Sequence, residues 1–101
     1  MSQVYQYMVN LVLPQEPPQA FFDMVPYQEV VVERYLTEGK LVNYAQSMEN
    51  GQCWAVFKAN SEVEVLEMLI DFPLTEFMEV EISLLAAYQT LEQPLPDFSL
   101  N

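Results

Sequence analysis

Residues 78–84 read Met-Glu-Val-Glu-Ile-Ser-Leu, an alternation of apolar and polar side chains. Such period-2 alternation is typical of a β-strand that buries one face and exposes the other. The apolar face needs other elements to cover it, and the polar face carries the carboxylates of Glu79 and Glu81. The rest of the chain must therefore supply the layer that covers this strand.

The first forty residues predict a strand followed by a long helix. Residues 4–13 are rich in Val, Tyr and Leu, and Pro14 ends them, which indicates a strand. Residues 19–38 have helical periodicity, and Gly39 is the residue expected just past the end of a helix. The apolar stripe predicted for this helix consists of Met24, Tyr27, Val31 and Tyr35.

The middle of the chain predicts a hairpin and a second helix. Asn50-Gly51 is a strong hairpin signal, and it separates two predicted strands at residues 41–48 and 52–59. Ser61 followed three residues later by Glu64 predicts a capped helix start. The buried stripe predicted for this second helix consists of Leu66, Leu69 and Ile70.

The predicted order is strand, helix, strand, strand, helix, strand. This is the order of the ferredoxin-like α+β fold, in which two helices cover one face of a four-stranded antiparallel sheet. Residues 1–88 form this domain, and we expect residues 89–101 to be an extended tail that docks on a neighbouring subunit. Two open sheet faces would pair as a dimeric α+β barrel, so we expect a homodimer or a higher homo-oligomer.

Charge and composition exclude several classes of function. The chain of 101 residues has a formal net charge of −12, which disfavours nucleic acid and anionic membranes as partners. Cys53 is the single cysteine and histidine is absent, so we expect no metal site and no histidine-assisted nucleophile. No apolar run reaches the roughly 20 residues of a membrane span, and the first residues do not resemble a signal peptide. These features predict a cytoplasmic protein.

Short matches to one known family extend from Leu13-Pro14 to Leu85. They comprise Glu38-Gly39-Lys40, Phe57, Ser61 with Glu64, Leu69, Phe72-Pro73-Leu74, Phe77-Met78 and Val80-Glu81-Ile82. In these residues the chain resembles the muconolactone delta-isomerases, small proteins of the dimeric α+β barrel type. The resemblance implies an isomerase that moves a proton within a small unsaturated lactone acid without a metal or cofactor.

The resemblance also implies where the base lies. Glu81 matches a glutamate expected on the last strand of the family, and Glu79 lies beside it on the same face. Desolvation in an apolar cavity raises the pKa of a carboxylate toward working pH, which suits proton abstraction. The family is expected to have basic residues on its first two strands. This chain has neutral residues there, namely Gln6, Met8, Asn43 and Gln46. An uncharged substrate is therefore expected unless Arg34, Lys40 or Lys58 reaches the site.

Further polar and aromatic residues are candidates for binding a substrate. Gln6, Asn10 and Asn43 would line a neutral, hydrogen-bonding pocket, or they are ordinary polar positions of the strands. Tyr44 and Trp54 would stack on a small unsaturated or hydrophobic ligand, although aromatic strand residues are more often part of a core.

Three functions remain open on the residues alone. The first is a cofactor-free isomerase that uses Glu81 and Glu79. The second is a non-catalytic binder of a small hydrophobic or aromatic molecule in the same cavity. The third is an oligomeric scaffold whose open face is filled by its partner, with no pocket left. Glu79 and Glu81 are an acid/base pair in the first function, and the alternative is that they are the solvated side of an amphipathic edge strand.

Overall fold

The computed structural model describes residues 4–47 and 49–86. The strands are β1 Tyr5–Val12, β2 Leu41–Ser47, β3 Gln52–Ala59 and β4 Glu79–Leu84. The helices are α1 Gln19–Glu38 and α2 Glu62–Ile70, and a 3-10 turn spans Thr75–Phe77. The predicted order of elements is confirmed. The tail predicted at residues 89–101, and its docking on a neighbour, lie outside the described residues.

The four strands form one antiparallel sheet in the order β2-β3-β1-β4. Residues of α1 and α2 pack in one core cluster with alternate residues of the sheet, so the two helices cover the same face. This arrangement confirms the ferredoxin-like α+β fold. Within the described residues, no helix has the length and apolar character that a bilayer crossing requires.

The core lies between the sheet and the helices. On β1, Tyr7, Val9 and Leu11 are buried in succession at every second position. On β4, Val80 and Ile82 pack against the same core, as the alternation predicts. Burying an apolar side chain of this size contributes about 1.5–3 kcal/mol, so this strand alternation is a main determinant of the fold.

Local capping residues fix the helix ends where the sequence predicts them. Gly39 ends α1 with a φ of 79°, in the left-handed region that glycine adopts without steric cost. At the start of α2, the Ser61 Oγ accepts a hydrogen bond from the Glu64 backbone N–H at 3.2 Å. The Glu64 carboxylate in turn accepts one from the Asn60 backbone N–H at 2.6 Å. Both predicted helix boundaries are confirmed.

The buried faces of the helices differ from the predicted stripes. The residues that α1 buries are Phe21, Gln28, Val32 and Tyr35. Tyr27, predicted to be buried, is 62% exposed, because the buried face is centred about one residue further along, on the polar Gln28. The residues that α2 buries are Val65, Met68 and Leu69, whereas Leu66 and Ile70 are exposed. Apolar residues lie on most sides of this short helix, so periodicity does not define its buried face.

The sheet face opposite the helices is called the open face here. Its residues form rows across the hydrogen-bonded strands, because residues in register lie side by side. One row consists of Glu81 on β4, Asn10 on β1, Trp54 on β3 and Ala45 on β2. Strand parity therefore assigns the hairpin residue Trp54 to the open face together with Glu81.

Candidate functional site

Six of the predicted site residues lie on the open face. Glu81 is beside Asn10, and Asn10 is beside Trp54. The remaining three are Gln6, Asn43 and Glu79, whose positions in the strand registers place them on the same face. Glu79, Glu81 and Asn43 are exposed in this protomer. The protomer thus groups the two predicted carboxylates with the predicted amides, on a surface rather than in an enclosed cavity.

One basic residue also lies on the open face. Lys58 of β3 is in register with Gln6 of β1. Gln6 and Asn10 are four residues apart on one strand, so Lys58 lies about 13 Å along the strand from the row that holds Glu81. Among the described residues, the Gln6 Oε1 is buried without a hydrogen-bond partner. The open face therefore carries one lysine, Lys58, but this lysine is not adjacent to either predicted carboxylate.

Tyr44 is on the other side of the sheet. It is in register with Ala55, a core residue, and it packs against the core beneath α1. The register of β2 shifts between Leu41 and Asn43. Because such an irregularity interrupts the alternation of faces, the sequence alone does not predict which face each side chain of β2 occupies. The structure therefore separates Tyr44 from the other predicted site residues.

A cavity of about 560 Å³ lies on the helix-covered side of the sheet, between α1 and strands β2 and β3. We call it the α1 cavity. Most of its wall is apolar, from Leu13, Phe21, Val25, Val32, Leu74 and Met78. Its polar lining residues are Gln28, Glu29, Glu33, Tyr44, Gln46 and Cys53. A largely apolar cavity of this volume with a few polar groups has the character of a small-molecule site.

A chain of hydrogen bonds runs along the polar side of the α1 cavity. The Leu74 backbone N–H donates to the Gln28 Oε1 at 3.1 Å, and the Gln28 Nε2 donates to the Tyr44 hydroxyl oxygen at 3.4 Å. The Tyr44 hydroxyl is 3.8 Å from the Cys53 Sγ, which is 3.9 Å from the Gln46 Oε1. The chain connects the loop after α2 with α1, β2 and β3, and so holds Tyr44 in one orientation.

Tyr44 and Cys53 are neutral at physiological pH. Burial raises the pKa of the Tyr44 phenol to about 12, and the nearby charge of Glu29 also raises it. Burial likewise raises the pKa of the Cys53 thiol. Tyr44 can therefore donate a hydrogen bond to a ligand without ionising, whereas Cys53 is a poor nucleophile because the thiolate is the reactive form.

The charges that line the α1 cavity are negative. Glu29 and Glu33 contribute carboxylates, and none of the described lining residues is Lys or Arg. Arg34 pairs with Asp71 at 3.7 Å, and Lys40 pairs with Glu38 at 3.6 Å. Within residues 4–47 and 49–86, no group of three His, Cys, Asp or Glu side chains is placed to hold a metal ion. This lining favours uncharged ligands over anions.

Sequence reasoning missed Gln28, Glu29 and Glu33 as site residues. The available signal was Gln28 itself, a polar residue seven positions after Phe21 and four before Val32 on the buried side of α1. Residues three or four apart, and seven apart, share one helix face. A polar residue on an apolar helix face indicates a buried hydrogen bond.

A comparison with protein families bears on the function of this fold and cavity. A family model described as muconolactone delta-isomerase matches residues 4–90. The chain belongs to the muconolactone delta-isomerase family. The match covers both helices and all four strands, so the resemblance predicted from short motifs is confirmed. A comparison with curated proteins found no match.

Membership of the muconolactone delta-isomerase family makes this an isomerase-like protein. It does not by itself say which residues act, because activity depends on the site and not on the fold. The described structure offers two surfaces, the exposed open face with Glu81 and the α1 cavity with Tyr44.

Proposed function

We propose that the protein binds a small, uncharged, unsaturated carbonyl compound in the α1 cavity and isomerises it without a cofactor by moving a proton. The observation that carries the proposal is the neutral phenol of Tyr44 in a largely apolar cavity that Glu29 also lines. Proton transfer next to a carbonyl needs a base at the carbon and a hydrogen-bond donor at the oxygen. Glu29 and Tyr44 supply these two groups.

In the proposed reaction no atom is gained or lost. The Glu29 carboxylate takes a proton from the carbon next to the carbonyl, and the electrons of that C–H bond form a dienolate. The Tyr44 hydroxyl donates a hydrogen bond to the dienolate oxygen, where negative charge develops. The protonated Glu29 then returns the proton to the far carbon of the conjugated system, which shifts the double bond. The carboxylate is regenerated.

The substrate is uncharged because the α1 cavity carries Glu29 and Glu33 and no cation from a described lining residue. A substrate carboxylate would meet like charges without a compensating partner, and this repulsion disfavours its binding. Neutral lactones and enones meet no such penalty. Of the neutral residues at the positions where basic ones are expected on β1 and β2, Gln46 lines the α1 cavity and adds no cation to it.

The experiment that tests the proposal compares matched carboxylate variants. Wild type is incubated with neutral unsaturated lactones and enones in D₂O, and ¹H NMR follows deuterium incorporation and double-bond migration. Glu29→Gln should lower the rate at least about 100-fold, the usual worth of a general base, and Tyr44→Phe by about as much. Glu81→Gln, the control on the open face, should keep the wild-type rate.

Two other results would overturn the proposal. Loss of activity in Glu81→Gln with full activity in Glu29→Gln would move the base to the open face. Binding without turnover of any compound would leave the second candidate function, non-catalytic binding in the α1 cavity. One observation favours this second candidate. The buried polar side chain of α1 is Gln28, and an amide can bind a ligand by hydrogen bonds but cannot act as a base toward a C–H group.

We also propose that a second copy of the chain covers the open face. That face presents Glu79 and Glu81 on β4 and Lys58 on β3. A two-fold interface uses the same patch on both copies, so a patch with both signs of charge is suited to pair with itself. Light scattering should give a dimer or a multiple of it for wild type, and Lys58→Glu should shift the equilibrium toward monomer. A monomeric wild type would contradict this assignment.

A further inference from the structure

The side-chain amide of Gln28 is held in one orientation by the backbone. Gln28 is 4% exposed, and its Oε1 accepts a hydrogen bond from the buried Leu74 N–H at 3.1 Å. A buried backbone N–H without an acceptor is costly, so the oxygen of the amide must face Leu74. The NH₂ group of Gln28 therefore faces Tyr44.

This orientation determines what the Tyr44 hydroxyl can do. The Gln28 Nε2 donates to the Tyr44 oxygen at 3.4 Å, so the phenolic proton points away from Gln28. In the structure the hydroxyl is 3.8 Å from the Cys53 Sγ, and a thiol sulfur is a weak acceptor. A ligand oxygen in the α1 cavity can replace this sulfur at little cost and gain a stronger hydrogen bond.

We infer that Gln28 is a positioning residue that makes Tyr44 a dedicated hydrogen-bond donor, so that the α1 cavity selects ligands with a bare acceptor oxygen over ligands that present an N–H or O–H. Ketone, lactone and ester carbonyls have such an oxygen. This inference rests on the proposed function, since it takes the α1 cavity as the ligand site. It assigns the specificity of that site to a residue that does not itself touch the reacting atoms.

The test uses two probes of similar size and opposite hydrogen-bonding character. Acetophenone has only an acceptor oxygen, and indole has only an N–H donor. Their dissociation constants are measured by NMR titration against wild type and Gln28→Glu. The variant keeps an oxygen for the Leu74 N–H but places a carboxylate oxygen beside Tyr44. The phenol O–H then donates its hydrogen bond to that carboxylate, and the phenol oxygen is left as an acceptor toward the cavity.

The expected result is a shift of ligand preference from acetophenone toward indole. Wild type should bind acetophenone more tightly than indole. In Gln28→Glu the acetophenone-to-indole affinity ratio should fall about tenfold or more, the effect of one gained or lost hydrogen bond. Gln46→Glu is the matched control, because it adds the same charge to a lining residue that is not bonded to Tyr44. Its affinity ratio should stay at the wild-type value.

The outcomes separate this inference from the proposed function. The positioning role is contradicted if Gln28→Glu changes the affinities for acetophenone and indole by the same factor. It is also contradicted if Gln28→Glu and Gln46→Glu have the same acetophenone-to-indole affinity ratio. In both cases the α1 cavity remains a binding site. Failure of both probes to bind wild type contradicts the proposed function itself. If Gln28→Glu does not fold, Gln28→Met takes its place, because it removes the amide that donates to the Tyr44 oxygen. The acetophenone-to-indole affinity ratio should fall in this variant as well, and a ratio equal to that of wild type would refute the inference.

Discussion

Replacement of Gln28 by methionine should destabilise the protein substantially, although the two side chains have similar length and volume. The substitution removes the acceptor of the Leu74 N–H, and Leu74 is 5% exposed. A buried donor left without a partner costs roughly 1–3 kcal/mol. The Tyr44 hydroxyl also loses a donor, but it is partly exposed and retains its contact with Cys53, so this second loss is smaller. We expect the free energy of unfolding to fall by roughly 1–3 kcal/mol.

The assay is urea unfolding followed by far-UV circular dichroism. For a domain of this size, each kcal/mol corresponds to a fall in Tm of about 4–8 °C, so thermal unfolding gives a second measure. Gln19→Met is the control within the same helix, since Gln19 makes an exposed hydrogen bond to Asp23. It should change stability by less than about 0.5 kcal/mol. The reasoning is refuted if Gln28→Met loses no more stability than Gln19→Met.

Substitutions at three further positions test the local structure. Ser61→Ala should cost about 1 kcal/mol by removing the cap of α2, and Ser61→Asp should restore most of it, both measured by urea unfolding. Gly39→Ala should cost about 1 kcal/mol for its φ of 79° alone, because nothing lies within 4 Å of an added Cβ; Gly39→Asn should cost less, and an equal cost would contradict this cause. Tyr44→Phe should lessen the loss of stability at alkaline pH. The folded pKa of about 12 exceeds the ordinary 10.0, so the stability that Tyr44 contributes is complete below about pH 10 and lost as pH rises toward 12. At about pH 11 the difference should be at most about 1 kcal/mol after solvent screening, and parallel stability curves for the two proteins would exclude it.

The sequence predicted those features of the fold that depend on neighbouring residues. The alternation of β4, the turn at Asn50-Gly51, the capping pair Ser61 and Glu64, and the helix end at Gly39 each involve a few adjacent positions. Period and cap chemistry are local, so they can be read without the fold. Together they were sufficient for the order of elements and the ferredoxin-like fold.

The α1 cavity could not be predicted in the same way. The burial of Gln28 depends on the N–H of Leu74, 46 residues later in the chain. The face occupied by Tyr44 depends on a register shift in β2 that no residue pattern announces. Glu79 and Glu81 have a conspicuous alternating pattern, whereas Glu29 and Glu33 stand at the two ends of Val30-Val31-Val32 in a helix, where no alternation marks them. Long-range pairing, rather than local pattern, determines which residues meet.

A carboxylate in an alternating strand is by itself weak evidence for a catalytic base. A strand with one buried face always places its other residues on one surface, and charged residues keep that surface hydrated. Glu81 fits this description in the protomer, where it is exposed. Glu29 is exposed as well, and what distinguishes it from Glu81 is that it lines the α1 cavity. The role of Glu81 as a base stays a prediction that depends on what covers the open face.

The central claim is that small ligands bind in the α1 cavity and not on the open face. The measurement that tests it most directly is a ¹H–¹⁵N NMR titration of the full chain with acetophenone. Trp54 is the single tryptophan, so its indole N–H signal reports on the open face alone, while the amides of Phe21, Tyr44 and Cys53 report on the α1 cavity. We predict shifts at these three amides and an unchanged Trp54 indole signal. Shifts at the Trp54 indole and at Asn10 without shifts in the α1 cavity would contradict the account.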